Sequence, residues 1–251
     1  MKLNFIINED YLITHTLSST APDRFSSKKH KEDIVSFQNF AWKKSKKCYN
    51  FLAGRVYPED FLYLKSIKSV VRELPKFLLA LKKNKYYKKI LMQTKDYLDF
   101  CEKQWNNNYQ RTSKIIKELT EFNLNKKFTV YITHPSLKND CCIENDKIVW
   151  GHNEDWPNYS TVYLRHEILH SYFRSANVKL SNKNIEHSII QLIADNELRI
   201  RVNGGKYPPF KGHSKLFPSM RKISPYWKKY LKSEKKDVLK FRNMLIKLEK
   251  S

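Results

Sequence analysis

Tyr163-Leu-Arg-His-Glu-Ile-Leu-His-Ser-Tyr-Phe173 is the stretch on which the reading of this 251-residue chain turns. No Pro interrupts it, and Leu164, Ile168, Leu169 and Ser171 carry no charge. His166 and His170 stand four apart, so on a helix their rings point the same way, one turn from each other. Two imidazoles so placed can take two corners of a tetrahedral zinc. Glu167 follows the first of them. A carboxylate there can take the proton from a water that the metal acidifies, and later return it to a leaving amine.

Around this helix, expected over Ser160 to Arg174, the chain alternates short strands and long helices. Phe128 to Thr133 is β-branched and aromatic and reads as a strand closed by His134-Pro135. Lys147 to Trp150 reads as a second strand, followed by a polar loop from Gly151 to Tyr159. The next helix begins at Asn182 or Asn184 and runs to Val202, where Asn203-Gly204-Gly205 stops it. It is apolar around much of its circumference, as a central buried helix is. Towards the N-terminus, Leu3 to Ile7 could form a strand. Ser26 or Ser27 can cap a helix that passes through Phe40 and Trp42 and stops at Gly54. Phe61, Leu62, Leu64, Ile67, Val70 and Val71 recur at helical spacing behind Pro58. Further amphipathic helices follow from Pro75 and from Tyr86 to Phe122, and a basic amphipathic helix is expected from about Glu234. Five Gly and nine Pro agree with few tight turns. The class is α+β, mostly helical.

The His-Glu-x-x-His motif on an uncharged helix resembles the extended signature of zincin metallopeptidases, and the likeness covers roughly residues 128 to 205. It implies a small sheet, the motif helix and a following helix that completes the metal site. Residues 124–251 would then form the metallopeptidase domain with a basic C-terminal tail, behind a helical N-terminal region of residues 1–123. The resemblance also implies a strand edge that pairs with an extended peptide, and Lys147 to Trp150 is the natural candidate. The reaction implied is hydrolysis of a peptide or protein substrate with Zn2+ as cofactor, His166 and His170 as ligands and Glu167 as general base.

In the gluzincin branch the third ligand is a Glu on the next helix. Glu197 lies 27 positions after His170 and shares a face with Ile190, Ile193 and Glu186; Asp195 sits on another face with Gln191. Both are candidates, with His187 and Glu186 as further ones near the helix start. Families with a Glu-x-x-Ala-Asp pattern here use its Glu, and Gln191-Leu-Ile-Ala-Asp195 would put a Gln, a poor zinc ligand, in that place. A carboxylate that does not bind the metal can orient a ligand histidine. Tyr207 and His213 stand where an oxyanion-stabilising group would come in chain order. Arg199 and Arg201 read as helix-end ion-pair partners, His134 and His152 as loop residues.

The formal charge is +23, from 48 Lys and Arg against 25 Asp and Glu. Such a field attracts nucleic acid or an acidic partner. The alternative reading is therefore a basic, nucleic-acid-associated protein with a structural zinc or an inactive motif. Cys48, Cys101, Cys141 and Cys142 form no CxxC pair, which suits a reducing, cytoplasmic setting. Polar residues at Asn4, Asn8, Glu9 and Asp10 speak against a signal peptide, and no apolar run is long enough to span a membrane.

Overall fold

The structure, a computed structural model, describes residues 1–19, 27–53, 71–176, 182–205 and 213–250. The expected helix through Phe61 to Val70 and the candidate Tyr207 lie outside these residues. The fold is mostly helical with one small mixed sheet. Strand β1 is Lys2–Ile6, and helices α1 (Glu9–Ser18), α2 (Lys28–Lys44), α3 (Lys46–Ala53), α4 (Leu74–Lys83) and α5 (Lys85–Thr120) follow. Then come β2 (Lys127–Ile132), β3 (Asn139–Glu144) and β4 (Lys147–Gly151). Helix α6 spans Tyr159–Ser175 and α7 Lys183–Gln191. Helix α7 runs on through a π-helical stretch, Leu192–Leu198, into a last α-turn at Arg199–Val202. Helices α8 (Phe217–Lys232) and α9 (Val238–Lys250) complete the described chain.

The sheet order is β1-β2-β4-β3, with β1, β2 and β4 parallel and β3 antiparallel to β4. Strand β1, from the very start of the chain, thus lies in the same sheet as the strands near the motif. A boundary near residue 123 would cut through that sheet. Three elements escaped the sequence reading: α1, β3 and α8, the last of which precedes the helix expected from about Glu234. Helix α1 is capped by Asn8, whose side chain accepts from the Tyr11 N–H. Strand β3 consists of Asn-Asp-Cys-Cys-Ile-Glu, without the β-branched alternation that marks a strand. The helix expected from Ser27 to Gly54 is broken at Ser45, whose hydroxyl accepts from the Cys48 N–H and starts α3.

Helix α6 is buried on almost every side, and its residues sort by spacing. Leu164, Ile168 and Tyr172, one turn apart, pack on the sheet with Val130, Ile148 and Trp150. Val162, Leu169 and Phe173 pack on Ile185, Ile189 and Ile193 of the following helix. Arg165 turns to α5, where Nη2 donates to Thr112 Oγ1 at 2.9 Å and the guanidinium lies 4.4 Å over Trp105. The remaining stripe carries His166 and His170. The N-terminus of α6 is fixed by Asn158 in the left-handed region, φ 60°, which Asn tolerates. Its amide accepts from Asn108 and donates to Asn203, each at 2.9 Å, tying three helices together. Gly151 closes β4 against β2, and a Cβ there would stand 2.0 Å from Thr133 Oγ1.

Candidate metal centre

Three histidines converge between α6 and α7. His166, His170 and His187 each offer one ring nitrogen, and these atoms lie within 4.8 Å of one another. The Nε2 atom of His166 is 3.2 Å from that of His187 and 3.2 Å from that of His170. Around an ion with Zn–N bonds of about 2.0–2.1 Å, a tetrahedron has edges of about 3.3–3.4 Å. The two separations from His166 therefore already match the edge that an ion of this kind needs, and the third pair lies within 4.8 Å. Burial, followed by the neighbouring His166, holds His170 far below the ordinary imidazole range, and the same causes bring His187 to about 3. Both rings are neutral at pH 7 and free to present lone pairs, as a divalent metal requires.

Helix spacing supplies two of the three ligands; the register of α7 supplies the rest. His187 and Asp195 are eight residues apart, about 80° around a regular α-helix. The π-helical stretch Leu192–Leu198 holds more residues per turn and changes that angle. Asp195 comes to lie behind His166, with both carboxylate oxygens 3.2 Å from Nδ1. Burial alone would lower the His166 pKa, but the charge and hydrogen bond of Asp195 outweigh it and raise the pKa to about 9. The pair fixes a proton on Nδ1 and aims Nε2 at the other histidines. This is the carboxylate–histidine–metal arrangement. Asp195 thus meets a ligand rather than the ligand cluster itself.

Glu197 does not join the histidines. Its carboxylate pairs with Arg201 one turn on, at 3.4 Å, and Arg201 also holds Glu118 on α5 at 2.8 Å. The expectation of Glu197 as third ligand assumed a regular α-helix through residue 197, and the π turn removes that assumption. Arg201 is the helix-end ion-pair partner that the sequence suggests. Arg199 stacks on Trp156, 4.0 Å from the ring centre. Gln191 is buried. Glu186 pairs with the buried Arg242 at 3.2 Å.

Glu167 follows the first ligand and is 9% exposed. Burial pushes its carboxyl up to about 7, against the pull of His166 and of a hydrogen bond from the Cys142 backbone. A carboxyl poised near neutrality can take and return a proton at little cost. The Cys142 contact also shows which strand runs beside the motif. Strand β4, the expected substrate edge, is paired on both sides, by β2 and β3, and has no free edge. The edge strand on this side is β3, and Arg174 of α6 donates to its Cys142 carbonyl at 2.8 Å.

His213, the other candidate named for its chain position, has its ring centre 4.9 Å from that of His187, edge to face. His134 and His152 lie in the loops that follow β2 and β4, as the sequence suggests, and both are buried. His134 Nε2 meets Gln93 at 2.9 Å, and His152 Nε2 meets Glu154 at 3.1 Å. The third ligand position did leave a trace in the sequence: His166, His170 and His187 lie within 22 residues of one another in a chain with eight histidines. No protein-family profile, curated protein or solved structure matches the chain.

Proposed function

We propose that this chain is a zinc-dependent peptidase of the zincin type, with a three-histidine metal site and Glu167 as general base. The observation that carries the reading is the convergence of three Nε2 atoms, two of the pairs at ligand spacing, beside a buried glutamate that directly follows the first of them. A donor set of three imidazoles is that of a catalytic rather than a closed structural zinc site, and metal binding would displace the proton that His166 carries at neutral pH in the metal-free protein. His166, His170 and His187 would hold the ion, and Asp195 would hold His166 in the right tautomer. A bound zinc supplies a lowered water pKa and a positive charge that polarises the scissile carbonyl. Glu167 accepts the proton of the attacking water and delivers it to the amine as the peptide bond breaks. Its raised pKa favours both halves of that transfer.

The four cysteines are free, which fits a reducing compartment and supports a cytoplasmic location. Among the described residues no helix is long and apolar enough to cross a membrane. The test is to strip the purified protein of metal, reload it with zinc, and follow hydrolysis of quenched fluorescent peptides. Zinc at one equivalent should restore cleavage, and Glu167→Gln should keep the zinc and lose the cleavage. A protein that takes up no zinc, or a Glu167→Gln variant that still cleaves, overturns the reading.

A further inference from the structure

Beside the histidines lies a cleft of about 590 Å³, within the range of small-ligand pockets. His170 and His187 form its metal-side wall, and Phe173 and Arg242 line it further in. Its remaining charged lining residues are Arg174, Lys183 and Glu186. Arg242 is 1% exposed and already committed. Its Nη1 holds Glu186 at 3.2 Å, and its Nε and Nη2 hold Asn243 at 3.3 and 3.2 Å. That pair cancels, and Arg174 and Lys183 remain. Both are exposed, and neither forms an ion pair among the described residues.

Their position follows from helix geometry. Arg174 stands four residues after His170 on α6, so it continues the His166–His170 stripe by one more turn. Lys183 stands four residues before His187 on α7, on the His187 face. Arg174 near the end of α6 and Lys183 at the start of α7 both line the cleft with His170 and His187, so both cations flank the same end of the metal site. Arg174 also donates to the carbonyl of Cys142 on the edge strand β3, which anchors its guanidinium there; a guanidinium has five N–H donors, more than this anchor uses.

Resting on the peptidase reading above, we propose that this cleft selects peptides with a carboxylate close to the scissile bond, read by Arg174 and Lys183. A guanidinium and an ammonium on one rim, with no ion-pair partner among the described residues, suit a carboxylate through charge-assisted hydrogen bonds. The buried Arg242–Glu186 pair gives the cleft a polar but neutral floor. The carboxylate is either an acidic side chain or the chain end of a short peptide.

The experiment uses the zinc-loaded Glu167→Gln protein and fluorescence anisotropy with labelled octapeptides. One peptide has a central Asp and an amidated end, a second has Asn in its place, and a third has Asn with a free C-terminal carboxylate. The expected result is binding at least about tenfold tighter for the peptide with the favoured carboxylate than for the amidated Asn peptide. The Asp peptide and the free-ended peptide tell the two carboxylate sources apart. Arg174→Gln with Lys183→Gln should erase the preference, and Lys183→Gln alone, at an exposed site, should reduce it. Lys43→Gln with Lys44→Gln on α2 removes the same net charge far from the cleft and should leave it intact. Equal binding of all three peptides, or a preference that survives the Arg174/Lys183 substitutions, overturns the proposal. Wild-type protein on the same peptides separates the two claims. A preference without any cleavage refutes the peptidase reading alone, and cleavage without a preference refutes the cleft alone.

Discussion

The chain buries two groups of histidines, and they are built in opposite ways. In the N-terminal group, His134 is fully buried, with Nε2 against Gln93 at 2.9 Å and Nδ1 accepting from the Ser136 N–H at 3.2 Å. His30 meets the Ser136 hydroxyl at 3.1 Å and sets its ring edge-on to His134 at 5.0 Å. These nitrogens are spent on protein partners that hold the end of β2 against α2 and α5. In the metal group the outer nitrogen of His166 is spent on Asp195, and the three inner nitrogens face one another, with the Nε2 of His166 3.2 Å from the other two. Burial is common to both groups. What makes one of them a site is the direction of its uncommitted lone pairs.

The comparison breaks most sharply at His187. His187→Ala should weaken zinc binding by more than about a hundredfold, beyond the loss that an outer partner brings. His30→Ala should leave zinc binding where it was. Chelator competition reads both, and equal losses would erase the distinction between the groups. One step further out, Asp195→Asn should weaken zinc by about 10- to 100-fold while His166 and the fold remain. A change of less than twofold would mean that Asp195 does not orient the ring.

The N-terminal group should show itself through pH instead. His15 on α1, buried and close enough to act on His134, belongs to this group, and burial lowers it to about 4. For His134, burial and then the nearby His30 give about 3, against a small opposing pull from Asp33. Both rings stay neutral in the fold, whereas in the unfolded chain they take a proton below about 6.5. The stability they contribute is complete above about 6.5 and is lost as pH falls towards 4 and 3. Each ring should cost about 2 kcal/mol between pH 7.5 and 5.0. His15→Leu removes one of them, so its urea denaturation should show an acid loss smaller by about that amount. An unchanged loss would place the acid sensitivity elsewhere. The smallest effect is expected at Glu197. Glu197→Gln breaks only the ion pair with Arg201 and should change zinc affinity by less than twofold in the same chelator titration. A larger loss would return Glu197 to the ligand set.

How far the sequence could be read varies with the range of the forces involved. The helices α5, α6 and α7 and strands β1, β2 and β4 announce themselves through spacing and β-branched runs, because those patterns record one buried face per element. Strand β3 does not. It is held by pairing with β4 and by Arg174 on its Cys142 carbonyl, contacts that leave no periodicity. For the same reason β4 looked like an edge until β3 took that place. In the site, His166, Glu167 and His170 are legible because one helical turn relates them. The third ligand required knowing how α7 turns, and the π-helical stretch at Leu192–Leu198 made the face count fail for Glu197 and Asp195 alike.

By itself the sequence determined a mostly helical α+β chain and a helix that presents two histidines and a glutamate on neighbouring faces. Local spacing fixes these wherever the helix packs. Only the tertiary structure decided that His187 meets them, that Asp195 stands behind His166, and that Glu197 is spent on Arg201. Those outcomes depend on how α7 is wound and docked against α6, and packing sets that docking rather than any pattern within one segment.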